Sequence, residues 1–239
     1  MGIDVSEAGL VSYSDLHQSR VDTSVENNPQ LDHTARQLLV RSVFRRMVTN
    51  SPMHGDGNPL IYALKSKKGF SITAEEICKF RPSFDAIVDK ALQGRQHIVF
   101  VPLPSSHRVV NYFTRRVARR SPNSMILEGL FDKKSAGEVL TDLQHVIFPK
   151  RVRRDGLALL RALERSKGKT FSMKDVVNSQ LRTYINPLKL VGQIGPLDSN
   201  IVIVDDLMST GTTFDSAYAL LKDAGFIGGI EGLSLLSKV

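Results

Sequence analysis

Residues Ile201 to Thr213, IVIVDDLMSTGTT, gather the side chains best suited to do chemistry. Four apolar β-branched residues, Ile201 to Val204, predict a strand buried on both faces. Asp205 and Asp206 follow at its carboxyl end, where open α/β sheets place their ligands. Ser209, Thr210, Gly211, Thr212 and Thr213 then stand at the mouth of a helix. Its first backbone N–H groups and the positive end of its dipole make a phosphate cradle. The hydroxyls add donors, and Gly211 lets the backbone approach closely. Such a layout suits a ligand with vicinal hydroxyls and a terminal phosphate, the carboxylates accepting from the hydroxyls and the loop holding the phosphate. Paired acids at a buried strand end are costly without a role of this kind.

This segment resembles the motif for 5-phosphoribosyl 1-pyrophosphate (PRPP) of type I phosphoribosyltransferases: apolar strand, two acids, two apolar residues, then Ser/Thr-Thr-Gly-x-Thr. The resemblance implies that Asp205 and Asp206 act in catalysis on the ribose and stand behind a Mg²⁺ ion, largely through water. It also implies a pyrophosphate loop after an upstream strand. Val99 to Pro104 is the matching strand, Ser105, Ser106, His107 and Arg108 the loop, and Val109 to Arg120 the helix. Within the superfamily the ComF-type competence proteins look nearest. They carry an apolar-x-Ala-Leu-Lys-x-x-x-Gly segment, matched here by Leu60 to Gly69, and an arginine and an asparagine that Arg182 and Asn186 echo. Their cysteine-rich zinc module has no counterpart, since Cys78 is the single cysteine. Ser209 stands where purine-salvage members place an acid, which argues against hypoxanthine-guanine chemistry.

The elements that must position these residues are read from periodicity. Residues 1–33 are polar and read as a loosely ordered lead-in. His33 to Val48 predicts a helix, with Ala35, Leu39, Val43 and Met47 at every fourth position. Residues 49–57 are a loop, and helical patterns follow around 59–66 and 73–93. HIVFVPL (97–103) predicts a buried strand, Val109 to Arg120 a helix, SMILEGL (124–130) a strand, and 137–146 and 154–166 two helical pieces. A helix starts near Thr212, with Gly225 suited to its C′ position, and GIEGLSLLSKV is a last strand. Alternating strands and helices predict a parallel twisted sheet flanked by helices. The expected class is therefore α/β with the type I phosphoribosyltransferase fold. Residues 1–93 form an N-terminal helical extension with leading helices, and 94–239 the phosphoribosyltransferase-like domain, in which 132–190 is a hood or insertion.

Composition narrows the rest. The chain has 239 residues, 41% hydrophobic and 23% charged, as in soluble globular proteins. It holds no apolar stretch of bilayer length and no secretory signal at its start, so a cytoplasmic protein is expected, with no membrane partner. Cys78, beside Ile77 and Phe80, reads as a small core residue. The net charge of +8 favours anions. Arg115, Arg116, Arg119 and Arg120 crowd one helix, and Lys150, Arg151, Arg153 and Arg154 form a second basic cluster, which together suggest contact with DNA or RNA phosphates. Gly168-Lys169-Thr170 matches the end of a P-loop, but Leu163 stands where a glycine is required.

Three functions follow as expectations. The first is a Mg²⁺-dependent phosphoribosyltransferase that moves phosphoribosyl from PRPP to a nitrogen acceptor and releases pyrophosphate. The second is a non-catalytic PRPP-sensing regulator. The third is a nucleic-acid-associated partner or a defence or competence effector, working beside DNA, RNA or a protein bound to them. A homo-oligomer is compatible with each.

Overall fold

A computed structural model describes residues 1–47, 58–193 and 199–238. The chain opens with strands β1 (Gly2–Val5), β2 (Leu10–Ser14), β3 (Val21–Asp22), β4 (Gln30–His33) and β5 (Leu39–Arg46). Helix α1 (Pro59–Leu64), strand β6 (Ser71–Ile72) and helices α2 (Ala74–Lys79) and α3 (Arg81–Leu92) follow. Then come β7 (Ile98–Pro102), α4 (Val109–Ala118), β8 (Met125–Ile126), β9 (Phe131–Lys133), α5 (Ala136–Leu143) and α6 (Arg153–Arg165). The chain ends through β10 (Leu188–Leu190), β11 (Asn200–Leu207), α7 (Thr212–Asp223) and β12 (Ile230–Leu236). None of the described helices is long and apolar enough to cross a membrane.

Two units of structure result. The first holds Met1–Glu128, Leu197–Thr210 and Gly228–Val239, and the second Gly129–Pro196 and Gly211–Ile227. This division differs from a boundary at residue 93, because β5, from the N-terminal part, pairs with β12 near the end of the chain.

The first unit is built on a mixed sheet in the order β3-β5-β12-β11-β7-β8, with β4 also on β5. Strands β5, β12, β11, β7 and β8 run parallel, while β3 and β4 lie antiparallel on β5. Helices α3 and α4 lie against this sheet. Central strands β7 and β11 are continuous apolar runs because both of their faces are covered. Ile98, Phe100, Val202, Val204, Leu233 and Leu235 from three neighbouring strands share one core with Phe113 and Val117 of α4.

Four expectations are corrected here. The segment His33 to Val48 is not a helix: its described part forms β4, a tight turn at Thr34–Leu38 and β5. Gln37 adopts a left-handed φ of 62° in that turn. Val40, Ser42 and Phe44 are buried at alternate positions along β5. Ser42 and Ser234 face each other across the parallel ladder, their hydroxyls 2.7 Å apart. Arg41 and Arg95 both pair with Glu231 of β12. The helical stripe was present in the sequence, but a partner strand about 190 residues away overrides it.

The N-terminal part is likewise not a loosely ordered or helical extension. Residues 1–33 contain four strands, with β1 and β2 joined by a turn in which Gly9 takes φ 79°. A Cβ on Gly9 would fall 2.4 Å from the Gly69 carbonyl oxygen, so only glycine fits. Cys78 is exposed on α2 rather than buried. The expected strand at 124–130 contracts to Met125–Ile126, and the whole 49–57 loop expectation, like Val48, lies outside the described residues.

The second unit has its own core, formed by Ala136, Val139, Leu140 and Leu143 of α5 with Phe148, Leu159, Leu163 and residues to Ile185. Gly156 of α6 packs directly on Phe148, where an added Cβ would meet the ring at 2.6 to 2.9 Å. Gly156→Ala therefore destabilises the protein by about 1–3 kcal/mol despite alanine's better helix propensity. The check is a lower urea midpoint at unchanged slope.

Helix α5 starts with a reciprocal cap: Ser135 Oγ accepts from the Glu138 amide, and Glu138 Oε2 accepts from the Ser135 amide and hydroxyl. Lys189 of β10 donates to Glu138 Oε1 at 2.8 Å. These donors, Lys189 first and then Ser135, hold the Glu138 carboxyl down from 4.5 to about 2. A depressed folded-state value stabilises the protein above the unfolded value and loses that contribution as pH falls. The melting-temperature gap between wild type and Glu138→Gln is thus expected to be full above pH 4.5 and to close as pH approaches 2. A gap independent of pH across this window would contradict the cap as described.

Candidate functional site

Strand β11 is buried from Ile201 to Val204 and carries Asp205, half-buried, and Asp206, only 5% exposed, at its carboxyl end. Asp205 Oδ1 accepts a hydrogen bond from the Asp206 amide at 2.8 Å, which turns the first carboxylate along the backbone. Asp206 Oδ2 lies 2.6 Å from Lys65 Nζ, both side chains being largely shielded from solvent. The ammonium is close but not aligned as a donor, and Oδ2 accepts no well-directed hydrogen bond among the described residues. The contact is thus mainly coulombic. It leaves a buried carboxylate with unused acceptor capacity, an arrangement that native interiors rarely tolerate without purpose.

Lys65 lies in the Leu60–Gly69 segment, whose pattern alone assigns it no role. Its position follows from a short helix with clear local causes. Asn58 caps α1 by accepting from the Leu60 amide, Pro59 opens its first turn, and Lys65 closes it as the C-cap. Beyond it the chain reverses through left-handed residues Ser66, Lys68 and Gly69. Tyr62 and Phe70 stack across this reversal at 5.9 Å, with Lys68 over the Tyr62 ring. The sequence signal that could have identified Lys65 is a lone lysine ending an otherwise apolar helix, followed by a glycine turn.

The upstream loop emerges at the same edge of the sheet. Val204 of β11 stands in register with Pro102 of β7, and the Leu103 amide donates to the Val204 carbonyl at 2.8 Å. Residues 105–108 thus leave the strand next to the one that carries the two carboxylates. Ser105, Ser106 and Arg108 are exposed and His107 is half-buried. The His107 amide donates to Ser105 Oγ at 3.3 Å. Arg108 adopts φ −71° and ψ −3° directly before α4, and no side chain caps that helix. Its first-turn amides are therefore open to an anion.

After Asp206, the Met208 amide donates a hydrogen bond to the Leu236 carbonyl at 2.9 Å, and Ser209 and Thr210 are exposed. The first unit ends here. Gly211 takes φ 78° and precedes α7, which likewise has no side-chain cap, with Thr212 and Thr213 as its half-buried first residues. The glycine is required, since other residues rarely adopt this backbone conformation.

The basic clusters are placed less uniformly. On α4, Arg115 pairs with Glu128, Arg116 with both oxygens of Asp85, and Arg120 with Asp89. Arg119 is exposed. Three of the four charges thus have a carboxylate partner within the fold. Lys150, Arg151, Arg153 and Arg154 are exposed and make no ion pair among the described residues. Arg182 donates to the Val176 carbonyl, and Asn186 Oδ1 accepts from the Leu188 amide, so both serve local backbone groups of the second unit.

Comparison of the sequence with protein-family models and with characterised proteins finds no match.

Proposed function

We propose that this protein binds PRPP and transfers its phosphoribosyl group to a nitrogen acceptor, releasing pyrophosphate. The reading rests above all on Asp206: a nearly buried carboxylate at the carboxyl end of a central parallel strand, with unused acceptor capacity. Ribose hydroxyls are the donors that would use it. Asp205 would take a second hydroxyl, and Ser209 and Thr210 would hold the 5-phosphate through their hydroxyls. Arg108 and the uncapped amides at the start of α4 would meet pyrophosphate.

Bond breaking at C1 builds positive charge on the ribose, and two carboxylates beside it lower the energy of that state. Lys65 has a part in this scheme as well. Its ammonium neutralises Asp206 before ligand arrives, and it lies at the edge where phosphate oxygens would enter. Among the described residues no group of three or more His, Cys, Asp or Glu gathers to hold a metal. Mg²⁺ therefore fits only as an ion carried on the pyrophosphate oxygens and water, with Asp205 and Asp206 behind it; when bound it would neutralise the leaving pyrophosphate.

The test is calorimetric titration with PRPP, with and without Mg²⁺, followed by an assay for released pyrophosphate. Binding with release supports a transferase, and binding without release against a panel of nitrogen acceptors supports a PRPP-sensing regulator. No binding by the folded protein overturns both. Contact with DNA or RNA rests on the cluster at residues 150–154, since Arg115, Arg116 and Arg120 already have carboxylate partners.

A further inference from the structure

The first unit contains a second concave feature, whose lining includes neither of the two carboxylates nor any residue of the 105–108 loop. A half-open cavity of about 580 Å³ is bounded by α1, β6, α2, α3 and α4 over strands β5 and β12. Its wall is a run of aromatic rings in mutual contact: Phe44 meets Phe80 at 6.1 Å and Phe84 at 6.2 Å, and Phe84 meets Phe113 at 6.0 Å. Edge-on and tilted contacts of this kind hold each ring in place, so the wall is preformed. Leu60, Leu64 and Leu235 complete the apolar floor. At the lining Tyr112 and Ile77 remain 61% and 44% exposed, apolar surface that water covers at a cost.

The polar groups of the lining are few and of one sign. Arg81 and Arg116 both line the cavity and share a single carboxylate, Asp85. Arg116 holds both Asp85 oxygens at 3.0 Å, while Arg81 reaches one of them only at 3.6 Å and is 67% exposed. Two guanidinium charges against one carboxylate leave about one positive charge beside an aromatic wall. Volume, lining and charge together match small-molecule sites, which are mostly apolar with a few orienting polar groups.

We propose that this cavity binds a flat apolar molecule carrying one acidic group, its ring system against Phe44, Phe80, Phe84 and Phe113 and its acid on Arg81. The proposal does not depend on how the carboxylates of β11 are read. None of Asp205, Asp206 or the 105–108 loop lines the cavity.

Cys78 lines the cavity, is exposed, and is the only cysteine of the chain, so its thiol is a built-in reporter. The experiment titrates the full chain with 8-anilinonaphthalene-1-sulfonate, an aromatic anion, and with the uncharged dye Nile red. In parallel, alkylation of Cys78 by iodoacetamide is followed by intact mass. Saturable binding of one anilinonaphthalene sulfonate is expected, and saturation should slow alkylation by about tenfold, as for a site occupied nine-tenths of the time. Cys78→Trp, at an exposed position, fills the cavity and should abolish binding of both dyes while the circular dichroism spectrum is retained. Arg81→Glu, also exposed, should weaken the anionic dye by roughly fivefold, the scale of reversing one surface charge contact, and leave Nile red unchanged. Alkylation at the same rate in saturating dye, or unaltered dye binding in Cys78→Trp, overturns the site. Equal weakening of both dyes by Arg81→Glu overturns the acidic group.

Discussion

On the proposed reading, Asp205→Asn combined with Asp206→Asn is expected to abolish PRPP binding in calorimetric titration, while the double variant keeps the wild-type circular dichroism spectrum. Each carboxylate lost as acceptor for a ribose hydroxyl removes a charge-assisted hydrogen bond of about 1.5–3 kcal/mol. Two such losses weaken binding by roughly a hundredfold or more. The amides keep the shape of the acids, so Lys65 and the Asp206 amide are not displaced by bulk. Asparagine also accepts hydrogen bonds, but without the charge that a developing positive ribose needs. The loss is therefore expected to be larger in turnover than in binding. A folded double variant that binds PRPP as the wild type does would remove the basis for assigning these residues to the ligand.

The second large effect is on stability. Lys65→Met leaves Asp206 buried with no opposite charge beside it. Removing one partner of a shielded ion pair costs about 3–5 kcal/mol, because the remaining charge stays out of water. Here both side chains are largely shielded, at 14% and 7% exposure, so the lower end of that range is expected. Adding Asp206→Leu should restore most of the loss, because a well-packed apolar pair often equals a buried ion pair. The double-mutant cycle in urea then gives a coupling of about 2–3 kcal/mol. Stability without PRPP binding in the repaired variant would separate the two duties of Asp206. If Lys65→Met unfolds at the wild-type midpoint, the pair does not form in solution.

These two expectations meet at one point of the sheet, where burial and function oppose each other. A buried acid weakens a fold unless something answers it. Lysine answers it in the free protein, and sugar hydroxyls are proposed to answer it in the complex. The same opposition is absent at the α5 cap, where Glu138 is satisfied by Ser135 and Lys189 and nothing is left over for a ligand.

Elements whose signal is local were legible in the sequence. Strands β7 and β11 are built on short apolar runs bounded by prolines or acids, β12 follows a glycine-rich turn, and α4 and α7 carry a clear helical stripe that ends at polar or glycine residues. The carboxylates, the two loops and Gly211 were also legible, because strand, acids, hydroxyls and helix start follow one another without interruption along the chain. What was misread is non-local. β5 carries a four-residue periodicity that suits a helix, yet Ser42, Phe44 and Arg41 are claimed by Ser234, Leu236 and Glu231 of β12. Cys78 sits beside apolar neighbours in sequence but is exposed at the lining of the cavity rather than buried in the core.

By itself, then, the sequence determined the alternation of strands and helices and the order of chemical groups at the end of β11. Both depend on contacts between near neighbours, which periodicity and turn chemistry encode. The tertiary structure alone decided that β5 joins the central sheet, that Lys65 stands against Asp206, and that four aromatic side chains from β5, α3 and α4 and from the residue between α2 and α3 close around one cavity. These depend on which distant segments pack together. That choice is made by the burial of whole faces at once and leaves no mark at any single position.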